Sequence, residues 1–233
     1  MIPRLTYRNP ELVEWMDRED CDRQLLRNTY RYFPVINRLL SGWKTVYKQF
    51  IRPELSTTRS FRLLDVGSGG GDITRNLYTW AKKDGFRLDV TGTDPDSRAL
   101  AFAGKRSTEN LRFLHSDTCE LIQKGETYDF VVCNHVLHHL PDADVRPFLG
   151  ALQQLATRRI ICSDIERSQT GYLLFSLLTW PFFPNSFIRV DGLLSIRKSY
   201  TCEELRRVVP DHWSVHRQSP YRLLAICDIY DRS

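Results

Sequence analysis

Three imidazoles fall within the nine residues Asn134-His-Val-Leu-His-His-Leu-Pro-Asp142. An unperturbed imidazole is neutral near pH 7, so it can accept a proton from a phenol or an activated carbon. If Asn134 opens a helical turn, His135 and His139 share a face and His138 lies beside it. Each ring also has plainer readings: a cap on the turn before Pro141, a place in the core, or exposure to solvent. An i, i+4 histidine pair is a metal-binding spacing as well. No third ligand stands at a matching interval, and no metal is expected.

The second chemical segment is Leu63-Leu-Asp-Val-Gly-Ser-Gly-Gly-Gly-Asp72, an apolar run entering a glycine loop and then a helical window. Glycines let backbone approach a ligand closely, and a helix start offers free N–H groups. Dinucleotide sites use G-x-G-x-x-G, but here Asp72 or Thr74 occupies the third glycine position, depending on the frame. The fingerprint of an NAD-dependent oxidoreductase is therefore broken in both. Asp94, in Thr91-Gly-Thr-Asp-Pro-Asp96, ends the next strand candidate. There an acid can accept hydrogen bonds from both ribose hydroxyls of a bound nucleoside. It could equally cap the following helix, as could Asp96.

The spacing Asp65, Gly67, Gly69, Gly71 fits D-x-G-x-G-x-G and resembles motif I of class I methyltransferases, which bind S-adenosyl-L-methionine. That cofactor carries no phosphate, and its sulfonium and ammonium groups favour acids near the loop. The resemblance implies a cofactor site made of Asp65, Gly67, Ser68 and Gly69, with Asp94 and Pro95 at the ribose. It places Asp117 and Thr118 at the adenine, and Asn134 at the methionine end facing the acceptor. It spans Phe61 to Ser163.

Two narrower resemblances concern the acceptor. Phe33-Pro-Val-Ile-Asn-Arg-Leu-Leu-Ser-Gly-Trp-Lys44 is similar to an element of ubiquinone and menaquinone C-methyltransferases, though one residue shorter and without its histidine. Gly71-Asp-Ile73 fits that group too, whereas Leu155-Ala-Thr-Arg-Arg-Ile160 stands where it has a Lys-Pro-Gly-Gly turn. His139 aligns with the histidine of the Glu-His pair in ubiquinone O-methyltransferases, His138 replacing the glutamate. His139 and His135 are thereby the candidate catalytic residues. Arg189-Val-Asp-Gly-Leu-Leu-Ser195 and Tyr200-Thr-Cys-Glu-Glu-Leu205 resemble small methyltransferases encoded beside type III polyketide synthases. These likenesses imply an apolar aromatic acceptor, a phenolic, quinol or polyketide-like lipid of secondary metabolism, methylated on oxygen or carbon. The competing reading is a catalytically inactive cofactor-binding partner or regulatory subunit.

Composition narrows the field. In 233 residues, 33 Lys and Arg against 28 Asp and Glu leave a net charge of +5, scattered and mixed with acids. That is no nucleic-acid footprint, and no N/D-P-P-Y motif or Pro-Cys pair is present. Nucleic acid is not expected as a partner. The six cysteines form no C-x-x-C pair and read as reduced thiols, and no apolar signal core follows Met1, so a cytoplasmic protein is expected. Gly171 to Ile188 is apolar, but Pro181, Pro184 and Asn185 interrupt it below the roughly 20 residues of a membrane span. It reads as a buried helix or an apolar lid, in which Leu173, Leu174, Phe175, Leu177, Trp180, Phe182, Phe183 and Phe187 either line a greasy pocket or serve as plain core or a dimer face. Its outer side is open to a peripheral membrane contact or to a second copy of the chain.

The elements that must position these residues follow from hydrophobic rhythm. Strands are expected at Phe61–Val66, Leu88–Thr93, Leu111–His115, Tyr128–Cys133 and Arg159–Ser163, alternating with helices at Asp72–Lys83, Ser97–Arg106 and Asp142–Ala156. Such alternation predicts a Rossmann-like α/β fold with a mostly parallel sheet. Trp213–Arg217 and Tyr221–Asp228 would close it as an antiparallel hairpin of a seven-stranded sheet, and a further helix starts near Thr201. Residues 1–60 read as a helical cap, beginning at Asn9-Pro-Glu11 and carrying one apolar face from Ile36 to Phe50. Residues 61–233 form the catalytic domain, with the lid inserted at about 168–199.

Overall fold

A computed structural model describes residues 3–229; the outer ends of the expected cap and domain, residues 1–2 and 230–233, lie outside it. Seven strands form one sheet: β1 (Ser60–Val66), β2 (Arg87–Asp94), β3 (Leu111–His115), β4 (Tyr128–Asn134), β5 (Ala156–Ile165), β6 (Ser214–Gln218) and β7 (Arg222–Asp228). Their order is β3-β2-β1-β4-β5-β7-β6. The first five are parallel, and β7 runs antiparallel to both β5 and β6. Strand order reverses between β1 and β4, which opens a crevice at the carboxyl edge of the sheet.

Nine α-helical segments accompany the strands among the described residues: α1 (Arg23–Leu40), α2 (Trp43–Val46), α3 (Asp72–Lys83), α4 (Ser97–Ala103), α5 (Thr118–Gln123), α6 (Asp142–Leu155), α7 (Gln169–Thr179), α8 (Ile188–Lys198) and α9 (Cys202–Val208). Both faces of the sheet are covered, as the continuous apolar runs of its central strands require. Leu64, Val131 and Ile160 pack with α6 and α9, while Leu63, Phe130 and Ile161 pack with α3 and with Trp43, Tyr47 and Ile51.

The expected strands and helices recur with small shifts. The register carries β4 to Asn134 and β5 to Ile165, because β7 pairs with β5 as far as Ile165↔Arg222. The helix expected over Ser97–Arg106 tightens to a 3-10 turn after Ala103.

The N-terminal segment departs from expectation. No helix starts at Asn9-Pro-Glu11; α1 begins at Arg23, where Asp22 accepts from the N–H groups of Gln24 and Leu25. Long-range bonds hold the earlier chain against the body instead. Arg8 donates to the carbonyls of His138, Leu140 and Lys198, and the Asn9 N–H donates to the Arg197 carbonyl. A helix over 9–20 would forfeit these bonds. Nor is the apolar face from Ile36 to Phe50 continuous: Gly42, at φ +68°, ends one helix and starts the next, and Leu39 is exposed. A Cβ there would strike the Gln218 side chain, whose amide donates to the Gly42 carbonyl.

Candidate active site

The parallel register brings Gly67, Asp94, His115 and Asn134 to one level, each at or just past a strand tip. Every site residue expected from the sequence (Asp65, Gly67, Ser68, Gly69, Asp94, Pro95, Asp117, Thr118, Asn134, His135 and His139) lines a single cavity of about 1050 Å³. Residues of α1, α7 and α8 form its opposite wall.

At the glycine loop, Gly67 has φ +69° and its Cβ position lies 2.7 Å from Val136 Cγ2, so the chain turns here only without a side chain. The acids around it are held in specific places. Asp65 is buried and accepts from Thr74 Oγ1 at 2.6 Å. Burial raises its carboxyl to about 7, against the lowering effect of Thr74, and burial likewise pushes up Asp72 and Asp94. Asp72 accepts from Asn37 of α1 at 3.0 Å. A loop ringed by Asp65, Asp72 and Asp94 suits a cation and repels a pyrophosphate.

Asp96, not Asp94, caps α4 by accepting from the Arg98 N–H. Asp94 instead accepts from the N–H of Gly69 at 2.8 Å and of Asp96 at 2.9 Å. Asp117 caps α5 through the Glu120 N–H, a structural duty in addition to its place in the cavity wall.

His135 and His139 do not share the helical face considered for them, although the His138 and His139 rings lie 4.2 Å apart. His135 keeps to the sheet for one more bond, its N–H donating to the Ser163 carbonyl at 3.0 Å, and then turns at φ +62°. Only Leu137–His139 forms a helical turn, of 3-10 type. His135 Nε2 lies 2.5 Å from Arg222 Nη1, and burial with the Arg222 charge drives its pKa well down. His138 is buried between two carboxylates, with Nδ1 2.6 Å from Asp164 and Nε2 3.3 Å from Glu14. Burial alone would lower its pKa, but Asp164 and Glu14 raise it to about 9. Glu14 in turn is lowered to about 2: burial opposes this, and His138, His139 and Lys198 outweigh it. His139 alone of the three is exposed, its Nδ1 lying 3.0 Å from Lys198 Nζ and 3.2 Å from Asp17 Oδ2.

Several groups here carried no local signal in the sequence. Arg222, on β7, reaches Asn134 Oδ1 at 2.6 Å and Ser163 Oγ at 2.9 Å, and its Nε has no partner among the described residues. Burial lowers its pKa to about 10. Trp43 also donates to Asn134 Oδ1, at 3.0 Å. Glu14 and Lys198 arrive from opposite ends of the chain. Glu14, His138 and His139 supply ligand atoms within 4.8 Å of one another, a set that leaves out His135 and so is not the i, i+4 pair of the sequence. Lys198 Nζ already lies 3.4 Å from the same Glu14 oxygen, however, and its charge opposes a metal ion.

The apolar wall is partly as expected. Leu174, Phe175, Phe182 and Phe183 line the cavity. Leu173 is half-buried beside it, Leu177 and Trp180 face solvent, and Phe187 packs with Leu26 and Tyr30 beneath α1. Gly171, Leu174, Phe175 and Leu178 form the cavity face of α7, and at 3.6 residues per turn Leu177 lies about 120° round the helix from the middle of it.

Residues 63–158 match the family model described as "Methyltransferase domain". The match runs from β1 into β5 and takes in the glycine loop, Asp94 and Asn134. Among curated relatives, a demethylmenaquinone methyltransferase of Staphylococcus aureus (strain MRSA252) is 26% identical over 136 residues, 57% of this chain and 53% of its own length. A ubiquinone biosynthesis O-methyltransferase of Rickettsia bellii (strain OSU 85-389) is 31% identical over 129 residues, 53% of this chain and 50% of its own. The chain thus spans about half the length of the curated relatives it matches. The fold is shared more widely. The plantazolicin methyltransferase BpumL, solved with SAH, superposes with a TM-score of 0.61 at 15% identity, covering 91% of this chain and 90% of that one. A SAM-dependent methyltransferase from Aquifex aeolicus superposes with a TM-score of 0.56 at 18% identity, covering 87% and 98%.

Proposed function

We propose that this protein transfers a methyl group from S-adenosyl-L-methionine to an oxygen or carbon of a small, apolar aromatic acceptor, a phenol or quinol bearing a lipid-like substituent. One observation carries the reading: a single cavity of about 1050 Å³ joins an acid-ringed glycine loop to an apolar wall. That volume lies at the upper end of the roughly 300–1,000 Å³ of ligand pockets, room for a cofactor and an acceptor side by side. The quinone-methylating relatives fit an acceptor of this kind.

The bound cofactor would supply an electrophilic methyl group on a sulfonium centre. The chain's own residues hold and orient. Each carboxylate oxygen of Asp94 accepts one backbone N–H and keeps a further acceptor site for a ribose hydroxyl. Asp117 and Thr118, on the cavity wall, would meet the adenine edge. Alignment of nucleophile and methyl group is the main contribution, worth roughly 7–11 kcal/mol in well-oriented systems.

For the acceptor proton, His139 is the base. Its Nδ1 cannot both accept from Lys198 and donate to Asp17. The tautomer that donates to Asp17 leaves Nε2 with a free lone pair, and Asp17 then steadies the imidazolium. His135, held by Arg222, positions that arginine, whose fork can meet the oxygen of a phenolate. His138, fixed between Asp164 and Glu14, anchors the N-terminal segment.

Calorimetric titration with S-adenosylmethionine, S-adenosylhomocysteine and NAD, followed by labelled methyl transfer to a panel of alkylated phenols and quinols, tests this. Binding of the first two and label in an apolar acceptor are expected. Binding of NAD alone would overturn the cofactor, and tight cofactor binding with no transfer to any aromatic acceptor would overturn the acceptor class.

A further inference from the structure

We propose that the rim of the cavity mouth docks on the surface of an anionic lipid bilayer, with apolar side chains of α7 and the 180–187 connection entering the interface and the arginines of α1 meeting the headgroups. Val35 and Leu39 of α1, Leu174 and Leu178 of α7, and Phe182 all line the cavity, and all five are also exposed. They therefore ring its opening. Leu177 and Trp180 extend the patch outward at 68% and 74% exposure. Exposed apolar side chains are ordinary when scattered singly; gathered about one opening they mark an interaction surface.

Charge selects the occupant. Residues 169–190 contain no Asp or Glu, nor do residues 23–53. On α1, Arg23, Arg27, Arg31 and Arg38 are exposed and recur at four- and seven-residue spacing, which makes a basic stripe alongside Val35 and Leu39. Across the mouth, Arg189 lies 5.6 Å from the centre of the Trp180 ring. An apolar face with interfacial Trp and Phe and a bordering row of arginines matches the pattern of helices lying in the headgroup layer. A two-fold dimer through the same face would oppose each basic stripe to a patch that offers no acid. A bilayer supplies both the anions and the hydrocarbon. No described helix is long and apolar enough to cross it, so the contact is peripheral. Docking stands independently of the methyl-transfer reading; combined with it, the mouth would receive an apolar acceptor directly from the lipid.

The experiment is cosedimentation of the whole protein, without cofactor, with phosphatidylcholine vesicles that contain or lack phosphatidylglycerol. The expected result is binding that is stronger with phosphatidylglycerol and weakened by salt. Leu177→Ser and Trp180→Ser should each weaken it about tenfold, and the paired Arg31→Gln and Arg38→Gln change should abolish the preference for the anionic lipid. These side chains project into solvent, so thermal stability should not move; it is measured as the check. Absence of wild-type binding, or binding indifferent to these substitutions, overturns the proposal. So does a concentration-dependent dimer that the same substitutions dissolve, in a protein that ignores vesicles.

Discussion

The Gly69 N–H donates to Asp94 Oδ2 at 2.8 Å, joining the glycine loop after β1 to the tip of β2. With Asp96 capping α4, the Asp94 carboxylate is occupied by loop backbone and open to the cavity. Replacing Asp94 with Ala removes a charged acceptor at the proposed ribose position. We expect cofactor affinity to fall by roughly 1–3 kcal/mol, read by calorimetry, with S-adenosylmethionine and S-adenosylhomocysteine affected alike because both carry the ribose. Unchanged dissociation constants would remove Asp94 from the site.

Asp65 makes cofactor affinity depend on pH. Burial raises its carboxyl from 3.8 to about 7 in the protein without ligand. A nearby sulfonium favours the ionised form and lowers that value, so binding the cation expels a proton. Affinity for S-adenosylmethionine should therefore climb as pH rises toward 7 and level off above it. S-adenosylhomocysteine, lacking the sulfonium charge, should climb less. Titrations across this range in buffers of different ionisation enthalpy report the proton release directly. A ratio of the two affinities that is flat with pH would contradict the acid-ringed reading of the loop.

The buried Glu14–His138–Asp164 row predicts a pH dependence of stability. His138 rises from 6.5 to about 9 on folding. A raised pKa contributes stability that is fully present below 6.5 and is lost as pH climbs through 9. Glu14 is lowered from 4.5 to about 2, so its contribution is present above 4.5 and lost as pH falls through 2. Thermal unfolding should accordingly show a fall in Tm between pH 6.5 and 9. His138→Gln should lower Tm at pH 6 and flatten that slope, since it removes the cation that two buried carboxylates share and leaves Glu14 to Lys198.

His139 and His138 differ in what their substitution should do. His139 faces the cavity and is exposed, so His139→Ala should leave folding and cofactor affinity intact. Turnover should drop by roughly 10²–10⁴, the usual contribution of a positioned base. The loss should shrink with acceptors whose hydroxyl is already ionised at the assay pH. Full turnover in the variant would assign the proton to solvent.

Much of this was legible in the chain because it is local. The alternation around Leu63-Leu64 and Val131-Val132 sets the strands. Asp72–Lys83 has a period that admits only a helix, and the loop glycines stand where backbone needs room. Arg222, Glu14 and Lys198 were not legible, for a physical reason. Each acts through partners between 59 and 184 residues away, and nothing beside it in sequence distinguishes it from a surface charge. The N-terminal segment eluded reading likewise: Asn9-Pro-Glu11 has the local features of a helix start, but Arg8 finds three backbone carbonyls on the body of the fold. Trp180 and Leu177 read as pocket lining until the turn of α7 is known.

The apolar wall predicts how rate should follow acceptor length. Tyr32 and Phe183 meet edge to face at 5.3 Å, and both line the cavity with Leu174 and Phe175. An acceptor whose ring reaches His139 would lay its substituent along this wall. Each methylene taken out of water contributes about 0.8 kcal/mol, so kcat/KM should rise roughly fourfold per added carbon until the wall is covered, then level off. Phe183→Ala should leave short acceptors little affected, because they do not reach it, and penalise long ones. Gly192 lies directly against the Phe175 ring, so that Gly192→Ala would push the ring into the cavity and shorten the longest acceptor tolerated. An acceptor series with no length dependence, or a Phe183→Ala penalty equal for short and long members, would separate this wall from substrate binding.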